Sequence, residues 1–303
     1  MDETQWLADR FEEHRAHLRA VAYRMLGSLA EADDAVQDTW LRLSGAGACE
    51  VVNLRGWLTT VTARVCLNML RSRNLRREEA LGVHVPDPVL SVDGKLQPEE
   101  EALLADSVGL ALQVVLDTLA PAERLAFVLH DMFGLPFEEI APIVSRTPAA
   151  ARQLASRARR RVKGAEVPAP DPDLARQREV VDAFFAAARA GDFDALVAVL
   201  DPGVVLRIDA GAAQSAASVA IRGADAVAGQ ALTGLSRGLR VARLHPALVN
   251  GAAGMVVTVR GRPLNVMGFT IACGRIAEID AVGDPERVRA ITAGFLAAGD
   301  LEM

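Results

Sequence analysis

Three prolines fall within the ten residues GAEVPAPDPD (164–173). No helix or sheet runs through such a stretch, because each proline fixes its own φ, removes a backbone donor and pushes the preceding residue toward an extended conformation. The chain is therefore divided there by an extended spacer, and its two sides follow different periodicities. From residue 4 to 163 apolar side chains recur at helical spacing, as in Leu18, Val21, Ala22 and Met25, or Leu110, Val114 and Leu116. One interruption, 82–97, is rich in proline and turn formers and reads as a flexible linker. Beyond the spacer, Val180, Val181, Phe184, Phe185 and Ala188 mark an amphipathic helix, and Asp192 is placed to cap a second. Alternation then takes over. Val204, Leu206 and Ile208 stand against Val205, Arg207 and Asp209, and Met255, Val257 and Val259 against Val256, Thr258 and Arg260. Residues 265–273 and 275–282 read as further strands. Two helices followed by mostly antiparallel strands predict a small α+β domain.

Charge is as unevenly distributed as periodicity. The formal total is −6, which by itself argues against coating a nucleic acid or an anionic membrane. Resolved along the chain, it hides two compact cationic blocks, +6 over 55–77 and +7 over 146–163, inside an otherwise acidic sequence. No stretch approaches the roughly 18 apolar residues of a membrane span, and residues 1–10 lack the apolar core of a signal peptide. Cys49, Cys66 and Cys273 are far apart and predict neither a disulfide framework nor a metal site.

The second cationic block has the pattern of a helix-turn-helix. Phe137, Ile140, Ala141 and Val144 make one face of a short helix. A turn of Ser145, Arg146 and Thr147 follows, with Thr147 as N-cap and Pro148 at the first helical position. The next helix, 148–163, is expected to bury Ala151, Leu154, Ala158 and Val162 and to carry its arginines outside. Such a helix suits a DNA groove, its N-terminus approaching bases and phosphates while arginines clamp the backbone; a solvated basic helix in a bundle has the same pattern.

Ahead of the first cationic block lies a helix over 31–43 with Ala32, Val36, Trp40 and Leu43 facing inward. Asp33, Asp34, Gln37 and Asp38 crowd its outside, a face for solvent or for a basic partner. In the block itself Trp57, Leu58, Val61 and Val65 pack, while Arg55, Arg64, Arg71, Arg73, Arg76 and Arg77 form a ridge suited to single-stranded DNA.

Together, HRAHLRAVAYRMLGSLAEADDAVQDTWLRL with RGWLTTVTARVCLNMLRSR resembles region 2 of extracytoplasmic-function sigma factors, and LDTLAPAERLAFVLHDMFGLPFEEIAPIVSRTPAAARQLASRARRRV resembles region 4. Residues 173–303, opening ARQREVVDAFFAAARAGDFDALVAVLDPGVVLRID, resemble a SnoaL-like domain of the NTF2-like cone fold. The resemblance implies a multidomain protein: two all-α sigma domains, region 2 at 1–81 and region 4 at 107–163, then a C-terminal α+β NTF2-like/SnoaL-like cone at 174–303. An acidic linker (82–106) and the proline-rich linker (164–173) join them. It also implies a cytoplasmic initiation factor that directs RNA polymerase core to promoter DNA, without a cofactor, and is regulated in cis by its third domain. Asp34, Gln37, Asp38 and Leu41 would meet the β′ clamp. Asn53, Arg55, Trp57, Arg64, Arg71 and Arg73 would read the −10 element, Arg64 standing where many relatives carry a base-reading Asn. Arg146, Thr147, Arg152, Gln153, Arg157 and Arg160 would meet the −35 element. The acidic linker resembles the segment that occupies the RNA exit path.

Three signatures of the group are altered. The linker's WLPEP-like motif is His84-Val85-Pro86-Asp87-Pro88, a DGGG motif is Asp209-Ala210-Gly211-Ala212, and an NPDKL-like motif is Asp284-Pro285-Glu286-Arg287-Val288. Pro86, Asp87, Pro88, Asp209, Gly211, Asp284 and Pro285 are thereby expected at interdomain contacts. In the third domain Asp209, His245, Asn265 and Asp280 are candidate polar groups: they serve structural or interdomain roles, Asp209 ending a strand and capping a turn and His245 in a loop before Pro246, or they line a pocket that takes a small ligand or hosts acid–base chemistry. The alternative to the sigma reading is a small-molecule-binding or cyclase-like enzyme domain fused to a helix-turn-helix regulator.

Overall fold

The computed structural model describes residues 3–46, 53–77, 83–91, 109–165, 168–211, 214, 218–236 and 242–299. They form two compact units, one holding 3–77 and 112–165, the other 83–91, 109–111 and 168–299.

The first unit is helical. Helix α1 (Glu3–Leu26) ends where Gly27 adopts φ +72°, its N–H donating to the Tyr23 carbonyl, and the Ser28 hydroxyl then accepts from the Glu31 N–H near the start of α2 (Leu29–Ala46). Helix α3 (Leu54–Arg77) completes a three-helix bundle around Phe11, Leu18, Val36, Leu43 and Leu58, with Trp40 and Trp57 packed against it. The inward residues expected for α2 are inward. The chain continues as α4 (Leu110–Asp117), α5 (Pro121–Phe127) with a π turn (Val128–Met132), α6 (Phe137–Ile143) and α7 (Pro148–Gly164). Two carbonyls at the end of α1 tie these later helices to the bundle: Gln113 Nε2 donates to Tyr23 O, and Arg124 Nε donates to Arg24 O. Arg124 is buried and paired with Asp117, which also faces Arg73 at 3.7 Å.

The second unit is the expected α+β domain, with more elements than the sequence pattern marked. Asp173 caps α8 (Leu174–Ala190), Gly191 ends it at φ +74°, and Asp192 caps α9 (Phe193–Val199) as expected. Then come β2 (Leu200–Asp209), β3 (Val219–Arg222), α10 (Ala224–Ser236), β4 (Ala242–Val249), β5 (Ala252–Val259), β6 (Arg262–Ala272), β7 (Arg275–Val282) and α11 (Pro285–Gly299). The sheet order is β1-β4-β5-β6-β7-β2-β3, and β2 runs parallel to β7 while the other pairings are antiparallel. Strand β1 is Leu90–Ser91.

That strand lies in the segment expected to be linker. Residues 83–91 add to the sheet edge through β1, where Leu90 pairs with Val249 and Ser91 with Leu248. The expected 82–106 linker is thus a folded part of the C-terminal unit over 83–91, while 92–106 lies outside the described residues. The spacer is anchored at its end too: Cys273 N–H and Gly274 N–H donate to the Asp171 carboxylate, and Asp171 N–H donates to Ile271 O.

The sheet has two buried faces. On one, Phe184, Phe185, Leu206, Met255, Phe269 and Ile279 form a core with α8, α9 and α10. On the other, Val249, Val256, Val266 and Val282 pack with Val85 and Leu90 of the linker and Val288 of α11. Gly254 and Gly268 face each other in register on this second side, and a side chain at either would meet Val249, with Leu110 also 3.0 Å from the position of a Cβ at 268. We call the sides the α8 face and the linker face. His245 and Pro246 are within β4, not in a loop. Strand β1 covers only the far end of β4, so Pro246 sits where β4 is an edge and its missing N–H costs no ladder bond.

Candidate nucleic-acid interface

Helices α6 and α7 make the expected helix-turn-helix. Ser145 takes φ +55°, and the Arg146 N–H donates back to Ala141 O, which closes the turn. Thr147 is the N-cap of α7, its hydroxyl accepting from the Ala150 N–H at 3.2 Å. The buried stripe of α7 is Ala151, Ala155 and Ala158; Leu154 and Val162 are only half-buried. Ala151 and Ala158 of the expected stripe are thus buried, with Ala155 in place of the larger Leu154 and Val162, and alanines at spacings of four and three let α7 pack closely. Arg146, Thr147, Arg152, Gln153, Arg157 and Arg160 are all exposed. They are not equally free. The Arg152 guanidinium lies 5.3 Å over the Phe137 ring, and Arg157 is 3.5 Å from Glu123, which Arg161 also meets at 3.1 Å. Arg159, outside the expected set, is fixed to Asp131 at 2.6 Å.

Helix α2 presents Asp34, Gln37, Asp38 and Leu41 together on its exposed side, and Leu41 is 58% exposed. Asp33, beside Asp34, is engaged by Arg19 at 2.6 Å.

On α3, Asn53, Arg55, Arg64 and Arg71 are exposed and Trp57 is half-buried. Asn53 starts the helix, its side-chain oxygen accepting from the Gly56 N–H. Arg55 approaches His17 at 3.5 Å; burial, helped by Arg55, pushes the His17 imidazole down to about 4. Arg73 departs from the expected ridge. It donates to Leu26 O and Glu31 at 3.1 and 3.0 Å and faces Asp117, with its side chain only 17% exposed. Arg73 is two residues beyond Arg71, about 200° round the helix from it, on the side that meets the carbonyl end of α1. The side chains of Arg76 and Arg77 lie outside the described residues, as do Cys49 and Ala212.

In the C-terminal unit the three altered signatures converge on the linker face. Val85 N–H and His84 Nδ1 are 3.0 and 3.1 Å from Asp209 Oδ2. Arg287, in the third segment, grips the other two: it donates to Asp87 Oδ1 at 2.7 Å, to Asp209 Oδ2 at 2.7 Å and to Val85 O at 2.6 Å. Burial alone would raise Asp209; the hydrogen bonds from His84 and Val85 and the Arg287 charge reverse that and hold its carboxyl well below the usual range. Gly211 has φ +82°, and a Cβ there would lie 1.9 Å from Asp284, whose carboxylate caps α11 by accepting from the Glu286 and Arg287 N–H groups. Pro86, Asp87 and Pro88 are buried in this clasp, and Pro285 opens α11. Farther along, Asn250 Oδ1 accepts from the Val89 N–H. His84, Arg287 and Asn250 were not among the expected site residues. Arg287 sat within a quoted motif, but nothing local marked its partners, 200 residues away for Asp87.

The four candidate pocket residues are separated by the sheet. A cavity of about 280 Å³ opens on the α8 face, lined by Phe184, Phe185, Leu206, Ile208, Met267 and Ala281 among others, and Asn265 lines it. Asp209, His245 and Asp280 are on the linker face, because they alternate with the cavity residues along their strands or pair with Val256. The His245 imidazole is 3.0 Å from the Thr258 hydroxyl. Burial raises Asp280 to about 6 against the pull of Arg207, which donates to it at 3.0 Å and to Glu278 at 3.2 Å.

Residues 10–76 match the family model for Sigma-70 region 2, and 109–162 that for Sigma-70, region 4. The chain is 37% identical over 293 residues to the ECF RNA polymerase sigma factor SigJ of Mycobacterium tuberculosis, covering 91% of each. It is 36% identical over 283 residues to the probable ECF RNA polymerase sigma factor SigI of the same species, covering 92% of this chain and 94% of that one. The crystal structure of M. tuberculosis SigJ superposes with a TM-score of 0.72 at 35% identity, covering 92% of this chain and 97% of that one.

Proposed function

The chain belongs to the extracytoplasmic-function RNA polymerase sigma factors, which direct transcription initiation at specific promoters, and on that premise we propose how its residues divide the work. The α2 face of Asp34, Gln37, Asp38 and Leu41 docks on the β′ clamp of core polymerase in the cytoplasm. Asn53, Arg55, Trp57, Arg64 and Arg71 meet the −10 element. Arg73 serves instead as a strut between α1, α3 and Asp117. Arg146, Thr147, Arg152, Gln153, Arg157 and Arg160 meet the −35 element, with the N-terminus of α7 toward the groove. Regulation in cis runs through the segment between the two DNA-reading regions, which the C-terminal unit holds by β1 and the Arg287 clasp. Because 83–91 lies in sequence between region 2 and region 4, gripping it fixes part of the segment that joins them, and releasing it frees that part.

The observation that carries this reading is the triple grip of Arg287 on Asp87, Asp209 and Val85. A cyclase-like role is disfavoured because Asp209, His245 and Asp280 lie on the opposite side of the sheet from the cavity. The test is run-off transcription with purified core polymerase on promoter templates, comparing the full chain with Leu41→Glu and Arg287→Ala. A specific transcript from the full chain, reduced by Leu41→Glu and changed by Arg287→Ala, supports the assignment. No specific transcript from the full chain overturns promoter-directed initiation; an unaltered Arg287→Ala overturns the regulatory part.

A further inference from the structure

The cavity on the α8 face has no part in the assignments above. Its volume, about 280 Å³, lies at the lower edge of the roughly 300–1,000 Å³ of small-molecule sites. Its walls are aromatic and aliphatic, with Phe184 and Phe185 from α8, Leu206 and Ile208 from β2, and Met267 and Ala281 from β6 and β7. Among the described residues no charged side chain lines it, and the polar side chains that do are Gln230 and Asn265. Asn265 Oδ1 is buried and has no hydrogen-bond partner among the described residues. A buried carbonyl oxygen without a donor is costly, and native proteins leave few of them. An apolar chamber with one unanswered acceptor calls for a neutral guest that brings one donor; an anion would be repelled by the Asn265 oxygen and stripped of water for no return.

The cavity is also joined to the clasp. Ile208 and Gly283 line it, and each is the chain neighbour of a clasp residue, Asp209 and Asp284. Gly283 N–H donates to Asp209 O at 2.7 Å, so the ends of β2 and β7 carry the cavity wall and the linker anchor on opposite faces of the same backbone.

We propose that this cavity binds a compact, neutral, largely apolar molecule that donates one hydrogen bond to Asn265 Oδ1, and that its occupancy holds residues 83–91 on the sheet. A ligand that fits the cavity of the linker-bound state stabilises that state in proportion to its preference for it. The coupling rests on the cis-regulatory reading above; the binding site does not.

The experiment uses the full chain and three bicyclic probes of similar size: 2-naphthol, which is neutral and has a donor, 2-methoxynaphthalene, which lacks the donor, and 2-naphthoate, which is anionic. Fluorescence titration should give saturable one-to-one binding of 2-naphthol at least tenfold tighter than of the other two. Asn265→Leu, which is close in size and removes the acceptor, should erase the preference for 2-naphthol over 2-methoxynaphthalene. Amide exchange at Val85 and Val89 should slow severalfold when 2-naphthol saturates the wild-type chain. No binding, or equal affinity for the three probes, overturns the site, and the wild-type series decides this even if Asn265→Leu fails to fold. Binding without slower exchange at Val85 and Val89 overturns the coupling. If Arg287→Ala speeds that exchange while 2-naphthol leaves it unchanged, the clasp stands and the ligand control fails.

Discussion

Replacing Arg287 with alanine is the sharpest perturbation of the clasp. The side chain is about three-quarters buried, and it donates to two carboxylates that are themselves almost completely buried, Asp87 at 5% and Asp209 at 4% exposure. Removing it leaves two buried anions with their cation gone. Breaking a buried pair in this way costs about 3–5 kcal/mol, chiefly because the remaining charge is stranded. The loss falls on a local equilibrium, the attachment of 83–91, rather than on the whole sheet. At about 1.4 kcal/mol per tenfold, attachment should weaken by roughly two to three and a half powers of ten. The assay is native-state amide exchange on the intact protein. Val85 N–H, bonded to Asp209, and Val89 N–H, bonded to Asn250, report on the linker; Val256 and Val266, in central strands, report on the sheet. Exchange at Val85 and Val89 should accelerate by about a hundredfold or more while Val256 and Val266 change far less. If all four accelerate equally, the linker segment is not a separately releasable element. If Val85 and Val89 keep their protection, the apolar contacts of Val85 and Leu90 and the β1 pairing suffice and the clasp adds nothing.

Leu41→Glu should lower affinity for core polymerase by about 1–2 kcal/mol, the range expected for an exposed anchor at an interface centre, with unchanged helical circular dichroism; equal affinity removes Leu41 from the interface. Arg152→Ala should weaken −35 recognition in the reconstituted holoenzyme by about 1–3 kcal/mol if its guanidinium reads a guanine, and footprinting that shows the same affinity and sequence preference refutes that role. Gly254→Ala places a Cβ 2.3 Å from Val249 Cγ2 and 2.7 Å from the Met267 carbonyl; overpacking of that kind costs about 1–3 kcal/mol, read as a lower urea midpoint for the C-terminal unit. Asp209 has its folded-state pKa below the ordinary 3.8, so its stabilisation is fully present above that value and is lost as pH falls beneath it. Exchange protection at Val85, corrected for intrinsic rates, should therefore hold from pH 7 to 5 and decline only in stronger acid; a loss between pH 7 and 5 points to another titrating group.

The elements whose stabilising contacts are short in sequence were legible without a structure. Thr147 caps α7 by bonding a backbone group three residues on, and the Asp192 cap of α9 works over the same distance. The alternation of β2 and β5 reflects only the pleat of a strand. The same alternation already separates Leu206 and Ile208 from Asp209, so the wrong-sided placement of Asp209 in the pocket could have been avoided from sequence. His245 could not be treated that way, because the neighbouring proline imitates a loop, and only the edge position of β4 explains why it is tolerated. Arg73 was misplaced on the DNA ridge although helical spacing already puts it nearly opposite Arg64 and Arg71; that the carbonyl end of α1 meets it there is the part no local spacing shows.

What the sequence by itself determined was the division of the chain, at three prolines, into a helical half with two cationic blocks and a half that turns to strands. Helix periods, caps and charge runs are set by residues a few positions apart, so they can be read directly. What only the tertiary structure decided was the fate of the segment between the cationic blocks. His84 to Ser91 has the composition of a linker, and nothing within it demands order. It is ordered because Asp209, Asn250 and Arg287, more than a hundred residues away, supply donors, acceptors and charge that its backbone and Asp87 lack locally. Gly254 and Gly268 leave the room on that face for Val249 and Leu110. Contacts of that separation depend on where the sheet brings strands together, and no local spacing encodes it.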